Sequence, residues 1–331
     1  MPTAARLNQV VGFLAKVEAD PNTFETLSNT TDAVNLYIGD GDPPAPTPIE
    51  YVFDGGIGRA AGNLAPQRRT TPNGAFRAFQ VQVLPKGSGA AYTVSAFPPN
   101  EVHRMLLGSG YDATFATGTW TYTPTPATST PAHLSTRLLT QGSQYDNAGV
   151  QCDFSYETQG LGVPVWSFDG RGIHVAPTDQ ALPVLTIGAA SVIPPVASGV
   201  VNSINGVTNL TIRRIVYRRN RNVETARVAQ NLAGGHAGFI TGGFSPEWEV
   251  EIERPARVAF DPEALRATAT PIAFSARFGT AVNNRWTHST AQAQIINVQP
   301  GAEGGLATVT LTIRGFSSTP SANDSEAVLF D

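Results

Sequence analysis

Glu249, Glu251 and Glu253 are the side chains whose spacing comes nearest to chemistry. On an extended strand alternate residues share a face and stand about 6–7 Å apart. At that separation two carboxylates can divide acid and base work. The three glutamates also alternate with Trp248, Val250 and Ile252, which reads as a half-buried strand with a water-facing acidic side. Three acids in a row without an aromatic subsite pattern favour the second reading. The acidic side must then meet water, or arginines from a neighbour. The other reactive types are dispersed. His103, His133, His174, His236 and His288 lie far apart. Asp40 and Asp42 lack the further ligands of a calcium loop and run directly into prolines. Cys152 is the sole cysteine, so neither an internal disulfide nor a Cys-based zinc site exists. Within Val150-Gln151-Cys152-Asp153-Phe154 it reads as a small buried residue. No Gly-x-Ser-x-Gly elbow, phosphate loop or His-Glu-x-x-His motif occurs. The expectation is a non-enzyme with no metal and no cofactor.

The elements around these residues appear twice along the chain. After the strand Ile49 to Phe53, residues 54 to 75 form a Gly/Arg-rich loop of about 20 residues carrying Arg59, Arg68 and Arg69. After the strand Leu210 to Tyr217, residues 218 to 244 form a second such loop with Arg218, Arg219, Arg221 and Arg227. Each loop leads into an alternating strand. In the first, Phe79, Val81 and Val83 alternate with Gln80 and Gln82; in the second, Trp248 to Glu253 alternate. Each strand leads to a short helix, opened by Asn100 as cap in one copy and by Asp261, Pro262 and Glu263 in the other. Two further strands follow: 133–139 and 150–156 in the first copy, 291–296 and 307–313 in the second. Asn100 to Val150 is 50 positions and Asp261 to Val309 is 48, as a duplicated unit requires. The predicted organisation is a first β domain over 1–174 with an arm in its first 30 or so residues, a linker over 175–198, and a second β domain over 199–331 ending in a polar, acidic tail from 317.

Composition supports many short strands joined by turns. Glycine (32) and proline (25) are abundant, and only 15% of residues are charged. The net charge of −4 argues against tight phosphate-driven nucleic-acid binding. Of the 22 basic residues only Lys16 and Lys86 are lysines. That bias suits forked ion pairs at interfaces; a GC-rich or hot-living host gives the same bias. No apolar run reaches membrane-spanning length and no secretion-signal pattern opens the chain, so membrane insertion is not expected.

Four features together carry a resemblance: the opening Leu14-Ala15-Lys16-Val17-Glu18, the Gly/Arg loop after a strand, His174-Val175-Ala176-Pro177-Thr178-Asp179-Gln180-Ala181-Leu182-Pro183, and Phe260-Asp261-Pro262-Glu263. In that order, over most of the chain, the sequence resembles the tail tube (major tail) proteins of long, non-contractile-tailed bacteriophages. The Pro43 to Pro48 run and the length of the second loop lie outside the match. The resemblance implies an all-β fold with minor α, namely two tandem tail-tube-type sandwich or barrel domains, each with one short helix. It implies rings that stack into a tube, an inner sheet lining a lumen for DNA ejection, and a long loop reaching the next ring. Two domains per chain would close a pseudo-sixfold ring from three copies. Gln80, Gln82, Glu249, Glu251 and Glu253 become lumen-facing candidates, where an acidic wall lets DNA pass unbound. Arg59, Arg68, Arg69, Arg218, Arg219, Arg221 and Arg227 become ring-stacking candidates, pairing with carboxylates of the adjacent ring. The implied partners are the chain itself, a tape-measure protein, a tail terminator and a distal tail protein. The implied location is the virion tail, after the host cytoplasm. A terminator or distal tail protein on the same fold is an alternative, and a carbohydrate-binding β-sandwich is a more distant one.

Overall fold

The computed structural model describes residues 12–37, 50–54, 71–126, 128–140, 143–159, 162–179, 183–186, 192–196, 202–225, 239–241, 243–319 and 322–331. The first half contributes β1 (Gly12–Val17), β2 (Ala33–Val34), β3 (Glu50–Asp54), β4 (Thr71–Val83), α1 (Asn100–Gly108), β5 (Tyr111–Ala116), β6 (Thr119–Pro124), β7 (Leu134–Thr140), β8 (Ser143–Gln159) and β9 (Val165–Asp179). The second contributes β10 (Ser203–Ile204), β11 (Ile212–Arg218), β12 (Val223–Thr225), β13 (Phe239–Thr241), β14 (Glu247–Glu253), α2 (Pro262–Ala267), β15 (Ile272–Phe278), β16 (Trp286–Glu303), β17 (Leu306–Gly315) and β18 (Ala327–Phe330). Strands make up 51% and helix 6%, so the chain is all-β with minor α.

The halves are joined by their sheet. Strands follow the order β2-β1-β7-β8-β11-β14-β17-β16-β18-β6-β5, with β9, β4 and β3 branching from β8, and β15 and β10 from β16. Antiparallel pairing of β8 with β11 leads from the first half into the second. β18 leads back, paired with β16 on one side and β6 on the other. One buried cluster draws on both halves, including Phe154, Tyr156, Trp166, Tyr217, Trp248 and Trp286. These rings are the inward set of alternating strands; their neighbours in sequence face out. Tyr156 and Tyr217 stack with centroids 5.3 Å apart, and Tyr217 meets Trp248 at 5.2 Å.

The second helix begins as its sequence dictates. The Asp261 side chain accepts the Ala264 N–H at 3.0 Å and Pro262 occupies the first turn. The first helix does not. Pro99, not Asn100, holds the cap position, and its carbonyl accepts the Val102 and His103 N–H groups. Asn100 instead donates its amide to the carbonyls of Thr31 and Ala33 at 2.7 and 3.0 Å. Three other expectations change. Residues 12–17 are not an arm but β1, paired with β7 and β2. The first five positions of the expected linker continue β9 against β8. The expected polar tail ends in β18, whose Val328 and Phe330 are fully buried. Among the described residues no helix is long and apolar enough to cross a membrane.

Candidate functional site

Register places the outward residues of both halves on one face. Cross-strand partners in an antiparallel pair point to the same side. Gln82 on β4 lies opposite Ser167 on β9, which lies opposite Ser155 on β8. Ser155 faces Arg218 on β11, Arg218 faces Glu247 on β14, and Glu247 faces Arg314 on β17. This polar row crosses six strands directly over the aromatic core. The next row holds Glu157, Val216, Glu249 and Thr312. Gln80 and Gln82 therefore share a continuous surface with Glu249, Glu251 and Glu253. A groove of about 610 Å³ on that surface is lined by Gln80, Gln82, Glu157, Val216 and Arg218.

Glu157, Glu247, Glu249 and Glu253 of this face meet arginines of their own chain. Arg214 bridges Glu157 at 2.9 Å and Glu249 at 3.2 Å, and Arg218 reaches Glu249 at 3.7 Å. Arg213, the extra residue of a bulge in β11, pairs with Glu253 at 3.5 Å and Glu303 at 2.8 Å. Arg314 pairs with Glu247 at 3.0 Å. The face is thus a lattice of half-exposed charges of both signs rather than a bare acidic wall. Such exposed pairs contribute about 0–1 kcal/mol each. Replacing Arg314 with alanine should accordingly shift the urea midpoint barely, by less than about 1 kcal/mol in stability.

The ring-stacking candidates divide three ways. Arg59, Arg68, Arg69 and Arg227 lie outside the described residues. Arg218 ends β11 on the polar face, with its side chain 55% exposed. Arg219 and Arg221 do not reach outward: they are buried, with 1% and 6% exposure. Their alternation continues that of β11, which turns Ile215, Tyr217 and then Arg219 inward. Both plug the C-terminal end of α1, a helix with no basic residue in its own last turn. Arg219 donates to the carbonyls of Ser109 and, at 3.0 Å, Gly110. Arg221 donates to Gly108 O at 3.2 Å, Cys152 O at 3.0 Å and Gln151 Oε1 at 2.6 Å. Cations there satisfy orphan carbonyls and oppose the negative end of the helix dipole.

Arg219 also anchors a buried polar network that no sequence motif marks. Its Nε donates to Glu326 at 2.9 Å, and its guanidinium lies 3.9 Å over the Tyr111 ring. Glu326 accepts the Tyr217 hydroxyl and lies 3.2 Å from His288 Nε2; His288 Nδ1 lies 3.2 Å from the Tyr156 hydroxyl. Burial pushes the Glu326 carboxyl up, but the His288 hydrogen bond and the Arg219 charge outweigh it and hold it below the usual range. Burial lowers His288, against the hydrogen bond and charge of Glu326, which raise it. Burial raises Tyr111 and Tyr217 well above the usual phenol range. With its groups enclosed, the network is a structural tie between α1, β11, β16 and β18. The alternation of Glu326, Val328 and Phe330 was one signal for it.

The other reactive residues have structural surroundings. Cys152 is buried, and burial pushes its thiol up to about 12. Among the described residues no three His, Cys, Asp or Glu side chains gather to hold a metal ion. His103 stacks on Phe97 with centroids 4.5 Å apart and shares a 2.8 Å hydrogen bond with the Tyr122 hydroxyl. Burial, with the Arg104 charge, pulls His103 down to about 4. A folded-state pKa below the unfolded value makes His103 stabilising only while neutral, so that stability is lost as pH falls from about 6.5 towards 4. The loss attributable to His103 between pH 7 and pH 5 should be about 2 kcal/mol. Denaturant titrations at both pH values should find it, and His103→Gln should remove that portion of the difference. No protein-family model and no curated protein sequence matches the chain.

Proposed function

We propose that this chain is a structural, self-assembling tube protein of the phage tail-tube type. Three copies would close each ring, and stacked rings would present the polar sheet face to a DNA-conducting lumen. The observation that supports this reading best is the shared face. Outward residues of the two repeats, Gln80 and Gln82 with Glu249, Glu251 and Glu253, line one continuous surface of one sheet. A chain that contributes two equivalent segments to one wall needs them on one side, and that is their arrangement.

The sheet also offers edges for association. Among the described residues β5 pairs only with β6, and Gln294–Glu303 of β16 pairs only with β17. Open edges at different places on one molecule suit head-to-tail contacts, which close into rings. The mixed charges fit passage of DNA as well. Arginines already held by glutamates have little to offer phosphates, so few counterions are released on contact.

The double variant Glu249→Lys/Glu251→Lys tests the assignment of this face. Its tubes should form but retain short duplex DNA in a sedimentation assay, with retention falling steeply as salt rises. Wild-type tubes should retain none. Equal behaviour of the two would remove the polar face from the lumen.

A further inference from the structure

We infer that the groove over Arg219 and Arg221 is a binding site for an anionic oxygen group, a carboxylate or a phosphate. The groove encloses about 430 Å³ between an apolar wall of Pro124, Pro126, Pro131 and Phe244 and a polar one that includes Ser317 and Asn323. Both arginines line it, yet almost none of their surface is exposed.

Donor supply exceeds acceptor supply there. Each guanidinium carries five N–H donors in a planar fork. Arg219 uses three, on Glu326, Ser109 and Gly110. Arg221 uses three, on Gly108, Cys152 and Gln151. Two on each remain without an acceptor among the described residues. No carboxylate of a described residue belongs to the groove wall. The nearby acids are engaged: Glu326 by Arg219, Tyr217 and His288, Asp112 by the Thr125 hydroxyl, and Asp153 by the backbone N–H groups of Phe154 and Arg221. The Arg221 guanidinium thus touches only neutral acceptors. Burial and the adjacent Arg219 charge pull its pKa down to about 9, the mark of a cation short of counter-charge. A carboxylate or phosphate matches the guanidinium fork and supplies both missing acceptors and charge.

The site is independent of the proposed tube. Its test is the thermal midpoint of the purified chain, measured in sodium phosphate and in sodium acetate at constant ionic strength. The midpoint should rise by about 2 °C once the anion exceeds its Kd tenfold. Asn323→Asp, which places a carboxylate in the wall, should raise the midpoint without added anion and flatten the response. In assembled material, loss of the response identifies a neighbouring copy's carboxylate as occupant; its persistence identifies a free anion. A wild-type midpoint indifferent to both anions overturns the inference. So does an Asn323→Asp variant that responds as wild type does.

Discussion

Arg219→Ala is expected to destabilise the chain by about 3–5 kcal/mol, the cost of leaving a buried charge without its partner. At about 2.1 cal/mol/K of unfolding entropy per residue, the calorimetric midpoint should drop by about 4–7 °C. Arg219 and Glu326 expose 1% and 0% of their side chains, so water cannot replace the lost partner. Removing Arg219 also strips donors from Ser109 and Gly110 at the end of α1. Protonating Glu326 should mimic part of the effect. Because its folded pKa lies below its unfolded one, its stabilising contribution is present above about pH 4.5 and disappears as pH falls through the folded value. If Arg219→Ala melts within 1 °C of wild type, the network is not what ties the halves together.

Ending the chain at Ser325 should do more: it should abolish the folded state. The six lost residues include Val328 and Phe330, each contributing about 1.5–3 kcal/mol by burial. They also include Glu326, worth about 3–5 kcal/mol as the partner of Arg219. Asp331 goes too, with its bidentate contacts to Arg285 at 2.9 and 2.5 Å. The sum of about 6–11 kcal/mol is comparable to the whole stability of an ordinary protein, about 5–15 kcal/mol. Loss of β18 further bares an edge of β6 and an edge of β16, which favours aggregation. Insoluble product, or soluble product without a cooperative transition, is the expected outcome. A monomer melting near the wild-type midpoint would make β18 dispensable.

Local signals in the sequence were reliable where local physics decides. Trp248, Val250 and Ile252 alternate inward as their period of two requires. Asp261 caps α2 because a short acceptor side chain before a proline has few other places to go. Long-range satisfaction was not legible. Asn100 had the right chemistry for a cap, but two carbonyls some 70 residues earlier in the chain claim it. Arg219 and Arg221 read as ring-stacking loop charges because their acceptors within the chain lie about 70 to 113 residues away. Period two, continued one step past Tyr217, was the available clue. The glutamate face was legible as half-exposed, but not its neutralisation by Arg213, Arg214 and Arg218, since strand neighbours are set by topology rather than spacing. That β11 and β18 weave the two halves into one sheet was not legible either, because pairing between distant strands has no local signal.

Electron micrographs of the concentrated, purified chain, averaged by class, decide whether it builds a tube. End views should show rings built from three chains around an open channel, and side views should show such rings stacked. A chain that stays monomeric at every concentration, or that forms rings with the face bearing Gln82, Arg218 and Glu249 turned outward, would rule out the tube assignment.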